Sequence, residues 1–275
     1  MEREKNWKKV LYINQCFPDN YVQTSFLHEM EKNVNIKTYQ YWNIVKETGM
    51  ITQQLCSVCL FVVLFIYMDS GLLDPNYLIL ILVCIVLVCY ASRSIIEKKG
   101  KYKGRDIQTM LIFLTLAFGL SPVLQTLTET ISTDTIYAMT VFMLLSNVLF
   151  HNYRVNEPIS RSLSLNASVF ASVCLASRFN SRMHAFATVT LALLIFALWP
   201  EIRKTLEVHV RGAAPIMTLS SITTALIALY SVSSMAALLF SLVIITFTFL
   251  IPLWLIRLQP SKNNIHGPWD EAVIQ

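Results

Sequence analysis

Two segments outside the long apolar stretches combine side chains that could bind a partner. CFPDNYV, from Cys16 to Val22, and NIHGPWDEA, from Asn264 to Ala272, each contain a proline, at least one aromatic residue and at least one carboxylate. Neither holds a nucleophile, a base and oxyanion donors in a convincing relation. Aromatic anchors favour docking surfaces; ordinary polar tails with a chance cluster are the alternative. The docking candidates are Phe17, Pro18, Asp19, Asn20, Tyr21, His266, Gly267, Pro268, Trp269, Asp270 and Glu271.

A third unusual segment, Ser121–Thr135, is rich in hydroxyl and carboxyl side chains. Its proline bends a helix and removes a backbone donor, and the polar residues can cap helix ends. We predict a partly buried re-entrant turn, with Thr133 or Asp134 as the N-cap of the next helix. A ligand site or a catalytic turn is the less favoured alternative. The candidates are Pro122, Thr126, Glu129, Ser132, Thr133 and Asp134.

The cysteines and histidines of the apolar stretches do not predict a metal or redox site. Cys56 and Cys59 have CxxC spacing but no second pair, whereas a structural metal needs about four ligands. His151 and His184 lie at the edges of apolar stretches, where interfacial hydrogen bonding is the favoured role. We therefore expect neither a metal nor a cofactor.

Transmembrane helices are the elements that must position these segments. Apolar and aromatic residues make up 55% of the 275-residue chain and charged residues only 14%, against about 25% charged in soluble domains. Uncharged runs of about 17 to 25 residues predict an all-α, polytopic transmembrane bundle of about eight spans. The predicted spans are Gly49–Met68, Asn76–Ala91, Ile107–Leu124, Thr135–Phe150, Leu163–Ser177, Met183–Trp199, Ala213–Val232 and Met235–Ile256.

The basic residues predict the orientation of this bundle. Of the 22 Lys and Arg residues, all except Arg178 and Arg182 fall on one face of the eight-span arrangement. That face is predicted to be cytosolic and to carry both termini. The net charge of +5 then meets anionic lipid headgroups, not nucleic acid. The predicted domains are a cytosolic segment with an interfacial helix (1–46), the bundle (47–258) and a cytosolic tail (259–275).

Polar side chains within the spans indicate packing more than chemistry. The predicted spans contain no Asp, Glu, Lys or Arg, which weighs against proton-coupled transport and intramembrane acid/base catalysis. The fifth span has small residues at three- and four-residue spacing, which would let another helix approach closely. A span that merely contains small residues is the alternative. The predicted packing face is Ser164, Ala167, Ser168, Ala171 and Ser172.

Long strings spread from about Trp7 to Ala272 are similar to those of one membrane-protein family. The strings are FPDNYV, KTYQYW, QQLCSVC, GLSPVLQTLTETISTDTIYAMTVFMLL, FASVCLASR, IFALWP, LIRLQ and NIHGPWDEA. In them the chain resembles the C subunit of the phosphatidylinositol N-acetylglucosaminyltransferase complex. The resemblance implies a multi-pass endoplasmic-reticulum protein. Its complex moves N-acetylglucosamine from UDP-GlcNAc to phosphatidylinositol, the first step of GPI-anchor synthesis.

The same resemblance implies that catalysis belongs to another chain. In that family the glycosyltransferase fold is found in the A subunit, which is accompanied by the H, P, Q and Y subunits and a dolichol-phosphate-mannose synthase regulatory subunit. The seven glycines here are scattered and form no phosphate-cradling loop. We therefore expect a non-catalytic scaffold that helps to present phosphatidylinositol.

A lipid transporter or scramblase is the alternative function. The seventh predicted span could supply a polar face for passing headgroups, through Thr218, Ser220, Ser221, Thr223 and Thr224.

Overall fold

A computed structural model describes residues 31–32, 39–96, 115, 118–119, 122–123, 131–153, 158–210, 212–261 and 265–266. This part of the chain is helical apart from one pair of two-residue strands and the connecting segments, which confirms the all-α class. Helices α1 to α7 are, in chain order, Tyr41–Asp69, Pro75–Ile96, Thr133–Phe150, Pro158–Ala176, Arg182–His209, Ala213–Val232 and Ser234–Ser261.

Five of these helices, α1, α3, α5, α6 and α7, are long and apolar enough to cross a membrane. α2 and α4 contain shorter apolar stretches, Pro75–Val88 and Ser162–Ala176. Seven of the eight predicted spans therefore coincide with helices. The other, Ile107–Leu124, lies largely outside the described residues, which include helical backbone at 115, 118–119 and 122–123. The span count of eight stays a prediction.

Several helices extend beyond the predicted spans. α1 begins at Tyr41 and not at Gly49, and α5 continues past Trp199 to His209. The predicted bounds followed uncharged residues, whereas backbone hydrogen bonding continues through the charged turns at a helix end. The apolar spans are thus shorter than the helices that contain them.

Two long helices accommodate a proline in the same way. In α5, the segment Arg182–Leu193 leads into a π-helical turn, Leu194–Leu198, and then into Trp199–His209, which contains Pro200. In α7, the corresponding segments are Ser234–Ile245, the π-helical turn Thr246–Leu250, Ile251–Leu258 with Pro252, and the 3-10 turn Gln259–Ser261. A proline removes one backbone donor and its ring crowds the carbonyl four residues earlier, which here lies in the π turn. Both helices can therefore continue past the proline.

The chain divides into two units by its internal contacts. One unit, Trp42–Pro252, contains α2 to α6 and most of α1 and α7. The other consists of Met1–Tyr41 and Leu253–Gln275. In this second unit, β1 (Glu31–Lys32) and β2 (Ile265–His266) pair antiparallel, with Glu31 opposite His266. The segments that flank the helices at either end of the chain are thereby joined to each other.

The apolar core of the helical unit lies around the second half of α1. The Phe61 ring meets Phe196 of α5 edge-on, with ring centroids 5.4 Å apart, and Phe65 meets Phe179 in the α4–α5 turn at 5.1 Å. Leu78 and Leu82 of α2 belong to the same buried cluster. Aromatic pairs of this geometry add to the energy of burial. This half of α1 is thus held by apolar packing, together with a hydrogen bond from the Tyr67 hydroxyl to the Ala228 carbonyl of α6.

Candidate functional site

Polar side chains are buried along the first half of α1. Thr48, Thr52, Gln53 and Gln54 are buried there, and Ser57 is buried one turn further along. A hydrocarbon environment offers no hydrogen-bond partners, so each buried polar group must find one within the protein. The partners of these residues define how the neighbouring helices meet.

Asn147 on α3 is the centre of the first buried polar group. Nε2 of Gln54 donates to Oδ1 of Asn147 at 2.8 Å. Nδ2 of Asn147 donates to the carbonyl and hydroxyl oxygens of Ser164, each at 2.9 Å. The Ser164 hydroxyl donates in turn to the Asn147 carbonyl at 3.0 Å. Four hydrogen bonds therefore join α1, α3 and α4.

A second polar group joins α1 to α6 and α7. Nε2 of Gln53 donates to the Thr218 hydroxyl at 2.6 Å, and the hydroxyls of Thr52 and Thr248 lie 3.1 Å apart. Gly49 permits the close approach of α6, because a Cβ there would lie only 3.3 Å from Oγ1 of Thr218. The three helices are thus linked by polar contacts where their backbones come close.

These contacts all lie at one end of the bundle. They involve the first half of α1, the last turns of α3 and the first half of α4. They also involve the beginning of α6 and the later part of α7. The two interhelical polar groups therefore lie at one end, and the aromatic core lies at the other. By the orientation that the sequence predicts, the polar end is the cytosolic one.

A buried charge, Arg203 of α5, lies at the same end. It is only 3% exposed, and its Nη2 lies 3.3 Å from Nε2 of His151, the residue that follows α3. Its Nη1 is buried without a hydrogen-bond partner. An unsatisfied buried guanidinium group is costly and calls for an explanation.

Tyr153 lies beside the Arg203–His151 pair. Its hydroxyl donates to the Val148 carbonyl at 2.7 Å, and its ring packs edge-on against His151, with centroids 5.0 Å apart. Burial raises the pKa of the Tyr153 phenol, and the positive charge of Arg203 partly opposes that rise. Tyr153 therefore holds the turn after α3 against the last turns of that helix, beside Arg203.

All five residues of the predicted packing face on α4 are buried: Ser164, Ala167, Ser168, Ala171 and Ser172. α4 contacts α3 more extensively than any other two described elements contact each other. The hydroxyls of Ser168 and Ser172 donate to carbonyls three residues earlier in α4, so they bury no unpaired donor. The face thus packs inside this chain.

The described part of the predicted re-entrant turn caps α3. Ser132 is the N-cap, and its hydroxyl accepts a 3.4 Å hydrogen bond from the Thr135 N–H. Thr133 and Asp134 occupy the first helical turn and are not the N-cap. Backbone at Pro122 is helical, while Thr126 and Glu129 lie outside the described residues. The cap is therefore one residue earlier than the sequence suggested.

Arg178 anchors this cap from the α4–α5 turn. Its Nη1 donates to the Ile131 carbonyl at 3.2 Å, just ahead of Ser132. Arg178 is one of the two basic residues that the charge pattern places on the sparsely charged face. It stabilises the start of α3 at the end of the bundle opposite Arg203.

Most of the predicted docking residues lie outside the described part of the chain. These are residues 17–21 and 267–271. His266 lies in β2, opposite Glu31 of β1. Their docking role therefore stays a prediction.

The other reactive side chains pack or bond locally. Cys56 is buried against Ala225 and Ile244, and the His184 ring packs on Phe179 with centroids 5.1 Å apart. In the described residues, no three His, Cys, Asp or Glu side chains are grouped closely enough to hold a metal ion. The hydroxyls on α6 donate to carbonyls of their own helix, at Ser220, Ser221, Thr223 and Thr224.

The sequence reasoning missed Gln53, Gln54 and Asn147 because it searched the spans for ionisable groups. Their amide side chains could have indicated buried positions, because an amide that faces lipid hydrocarbon is costly and therefore usually faces the interior of a bundle. Arg203 was missed because it follows the uncharged run of its span and was counted as a loop residue. A helical continuation of α5 was needed to bury it.

Comparison with known proteins gives consistent matches over nearly the whole chain. Residues 7–270 match the family described as Phosphatidylinositol N-acetylglucosaminyltransferase. The chain is 48% identical over 280 residues to the C subunit of Phosphatidylinositol N-acetylglucosaminyltransferase from Homo sapiens, covering 99% of this chain and 94% of that protein. It is 36% identical to the Phosphatidylinositol N-acetylglucosaminyltransferase GPI2 subunit of Schizosaccharomyces pombe, covering 99% of this chain and 88% of that one. No solved structure is detectably similar.

Proposed function

The chain belongs to the phosphatidylinositol N-acetylglucosaminyltransferase family, and from this we propose that it is the non-catalytic membrane scaffold of such a complex. The complex would transfer N-acetylglucosamine from UDP-GlcNAc to phosphatidylinositol, the first step of GPI-anchor biosynthesis. Its place would be the endoplasmic-reticulum membrane. This chain would hold the other chains of the complex and help to present phosphatidylinositol on the cytosolic side.

The observation that carries this proposal is that buried polar side chains bond helices to one another. Gln54, Asn147 and Ser164 bond to one another across three helices, and Gln53 bonds to Thr218. These amides and hydroxyls are committed to helix association, a structural use of polar groups in membranes. A bundle fixed in this way suits a scaffold.

The geometry supports eight spans. α1 begins, and α3 ends, at the polar end of the bundle, as the Gln54–Asn147 contact requires. α2 starts beside the aromatic core and contacts Trp199–His209, the part of α5 that contains Arg203, so it returns to the polar end. We therefore propose one further crossing before α3. The predicted span Ile107–Leu124 would supply it.

The strand pair supports placing both termini on one side. β1 precedes α1 and β2 follows α7, and the two strands are hydrogen-bonded. Hydrogen-bonded strands must share one side of a bilayer, which requires an even number of crossings. Seven described helices and one further span meet this condition. The positive-inside rule assigns that side to the cytosol.

The proposed partners are the other subunits of the complex. They are the catalytic A subunit, the H, P, Q and Y subunits, and the dolichol-phosphate-mannose synthase regulatory subunit. The residues around Pro18 and Trp269 are the proposed docking contacts for the catalytic subunit.

Affinity purification of the complex through its catalytic subunit tests the scaffold role. We expect omission of this chain to leave the other membrane subunits unassociated with the catalytic one. Alanine substitution at Pro18 and Trp269 should weaken that association, whereas alanine at Lys98 and Lys99, in the basic segment after α2, should not. A complete complex that assembles without this chain would refute the scaffold role.

The transporter alternative is tested separately. The α6 hydroxyls that suggested it bond to their own helix, so they are satisfied without a passing headgroup. We expect vesicles that contain only this chain to leave headgroup-labelled phospholipid in its original leaflet. Protein-dependent crossing of the label would favour the transporter.

A further inference from the structure

We propose that Arg203 binds the phosphate group of a phosphatidylinositol headgroup at the cytosolic end of the bundle. This inference rests on the proposed function, because it names the residue through which the chain would present its lipid. The ligand chemistry is a phosphate oxyanion. A membrane phosphodiester is the source that we infer.

Arg203 is a buried cation that makes no ion pair in the described part of the chain. Its guanidinium group contacts the His151 ring at 3.3 Å, and no described carboxylate makes a hydrogen bond or ion pair with it. Glu207, one turn further along α5, interacts with it electrostatically, yet Oε1 of Glu207 is itself without a partner. Burying a guanidinium group without an anion is strongly unfavourable. The site therefore calls for a negatively charged ligand.

One donor group of the Arg203 guanidinium is buried and unused. His151 contacts Nη2, and Nη1 has no hydrogen-bond partner. The Tyr153 hydroxyl is committed to the Val148 carbonyl, so it positions the turn beside Arg203. A guanidinium group binds phosphate oxygens through parallel N–H donors, with geometry that a lysine cannot reproduce. Nη1 is the donor that would engage the phosphate.

The position of Arg203 favours a lipid as the source of that phosphate. His151 directly follows the last residue of α3, and Arg203 lies one turn beyond Trp199, an aromatic residue of the interfacial type. This is the depth at which an apolar helix emerges among lipid headgroups. By the orientation that the sequence predicts, the site also lies on the side with most of the basic residues, where anionic lipids gather. UDP-GlcNAc carries phosphate too, but it is soluble.

The test uses the whole complex, reconstituted in vesicles of phosphatidylcholine with increasing phosphatidylinositol. We expect Arg203→Gln to raise the KM for phosphatidylinositol about tenfold or more, and to leave the KM for UDP-GlcNAc within about twofold. Arg203→Lys should give a smaller rise, because the charge remains and the paired donors do not. Lys204→Gln is the matched control, since it removes a neighbouring, partly exposed positive charge and should change neither KM.

Several outcomes would overturn the proposal. An unchanged KM for phosphatidylinositol in Arg203→Gln is one, and an equal rise in Lys204→Gln is another, because any positive charge would then suffice. A selective rise in the KM for UDP-GlcNAc would identify the nucleotide sugar as the source of the phosphate instead.

A second measurement covers the case in which the Arg203 variants fail to assemble. A photoactivatable phosphatidylinositol in the unmodified complex should crosslink to peptides containing His151 to Tyr153 or Arg203. Crosslinks confined to other chains or other helices would contradict the proposal. Failure of the scaffold role would look different, because a complex lacking this chain altogether would then assemble and transfer the sugar.

Discussion

Gln54 and Asn147 are hydrogen-bonded across the interior of the bundle, with Nε2 of Gln54 donating to Oδ1 of Asn147 at 2.8 Å. Both side chains are almost completely buried, and they lie 93 residues apart in the chain. Interhelical bonds of this kind determine which helices meet in a membrane. The pair therefore fixes α1 beside the end of α3.

Replacing Asn147 with leucine should loosen this end of the bundle. The change leaves the Gln54 amide and the Ser164 hydroxyl without their partners. We expect a loss of about 1–2 kcal/mol of stability, the range seen for strong interhelical hydrogen bonds in membranes. Thermal unfolding of the purified protein in detergent would measure it.

Ser146→Ala is the matched control for that substitution. Ser146 is the preceding residue, is partly exposed, and donates to the Phe142 carbonyl of its own helix. Its unfolding midpoint should stay close to that of the unmodified protein. Equal midpoints for the Asn147 and Ser146 variants would show that the buried network contributes nothing.

Enlarging the packing face of α4 should separate α4 from α3. Ala171 is fully buried, so Ala171→Leu would force additional methylene groups into a close contact between helices. We expect a destabilisation of about 1–3 kcal/mol by overpacking, read as a lower yield of folded protein. Phe170→Leu, at an exposed neighbouring position, should leave the yield unchanged. A similar loss in both variants would point to a general effect of the helix.

The sequence predicted these features unequally, for physical reasons. Small residues at helical spacing identified the Ser164 to Ser172 face, because close approach needs small side chains whatever the partner. Gln54 and Asn147 are ordinary residues in isolation, and only the fold brings together two positions so distant in the chain. Arg203 looked like a loop residue, because burial depends on how far α5 continues. The N-cap differed by one residue because Ser132, Thr133 and Asp134 are all good capping residues.

The two ends of the bundle should differ in their access to a membrane-impermeant thiol reagent. In sealed microsomes we expect a cysteine at Ser261, the last residue of α7, to be labelled at once. A cysteine at Leu72, in the α1–α2 turn, should be labelled only after the membrane is permeabilised. Lys204→Cys provides a second position on the Ser261 side. Immediate labelling at both Ser261 and Leu72 would contradict the orientation.

We expect two carboxylates, Glu129 before α3 and Asp134 at its start, to affect folding and not the rate of sugar transfer. Asp134 lies in the first turn of α3, where a negative charge favours the helix by about 0.3–1 kcal/mol. The combined substitution of Glu129→Gln and Asp134→Asn should therefore reduce the amount of assembled complex slightly. Transfer per assembled complex should be unchanged. Normal assembly with abolished transfer would instead indicate a catalytic turn.

Sugar transfer by the purified chain alone tests the non-catalytic role most directly. The chain would be reconstituted in phosphatidylinositol vesicles and supplied with radiolabelled UDP-GlcNAc, first alone and then with the remaining subunits. We predict no labelled glycolipid from the chain alone and its appearance once the partners are added. Labelled N-acetylglucosaminyl phosphatidylinositol formed by this chain without any partner would contradict the account.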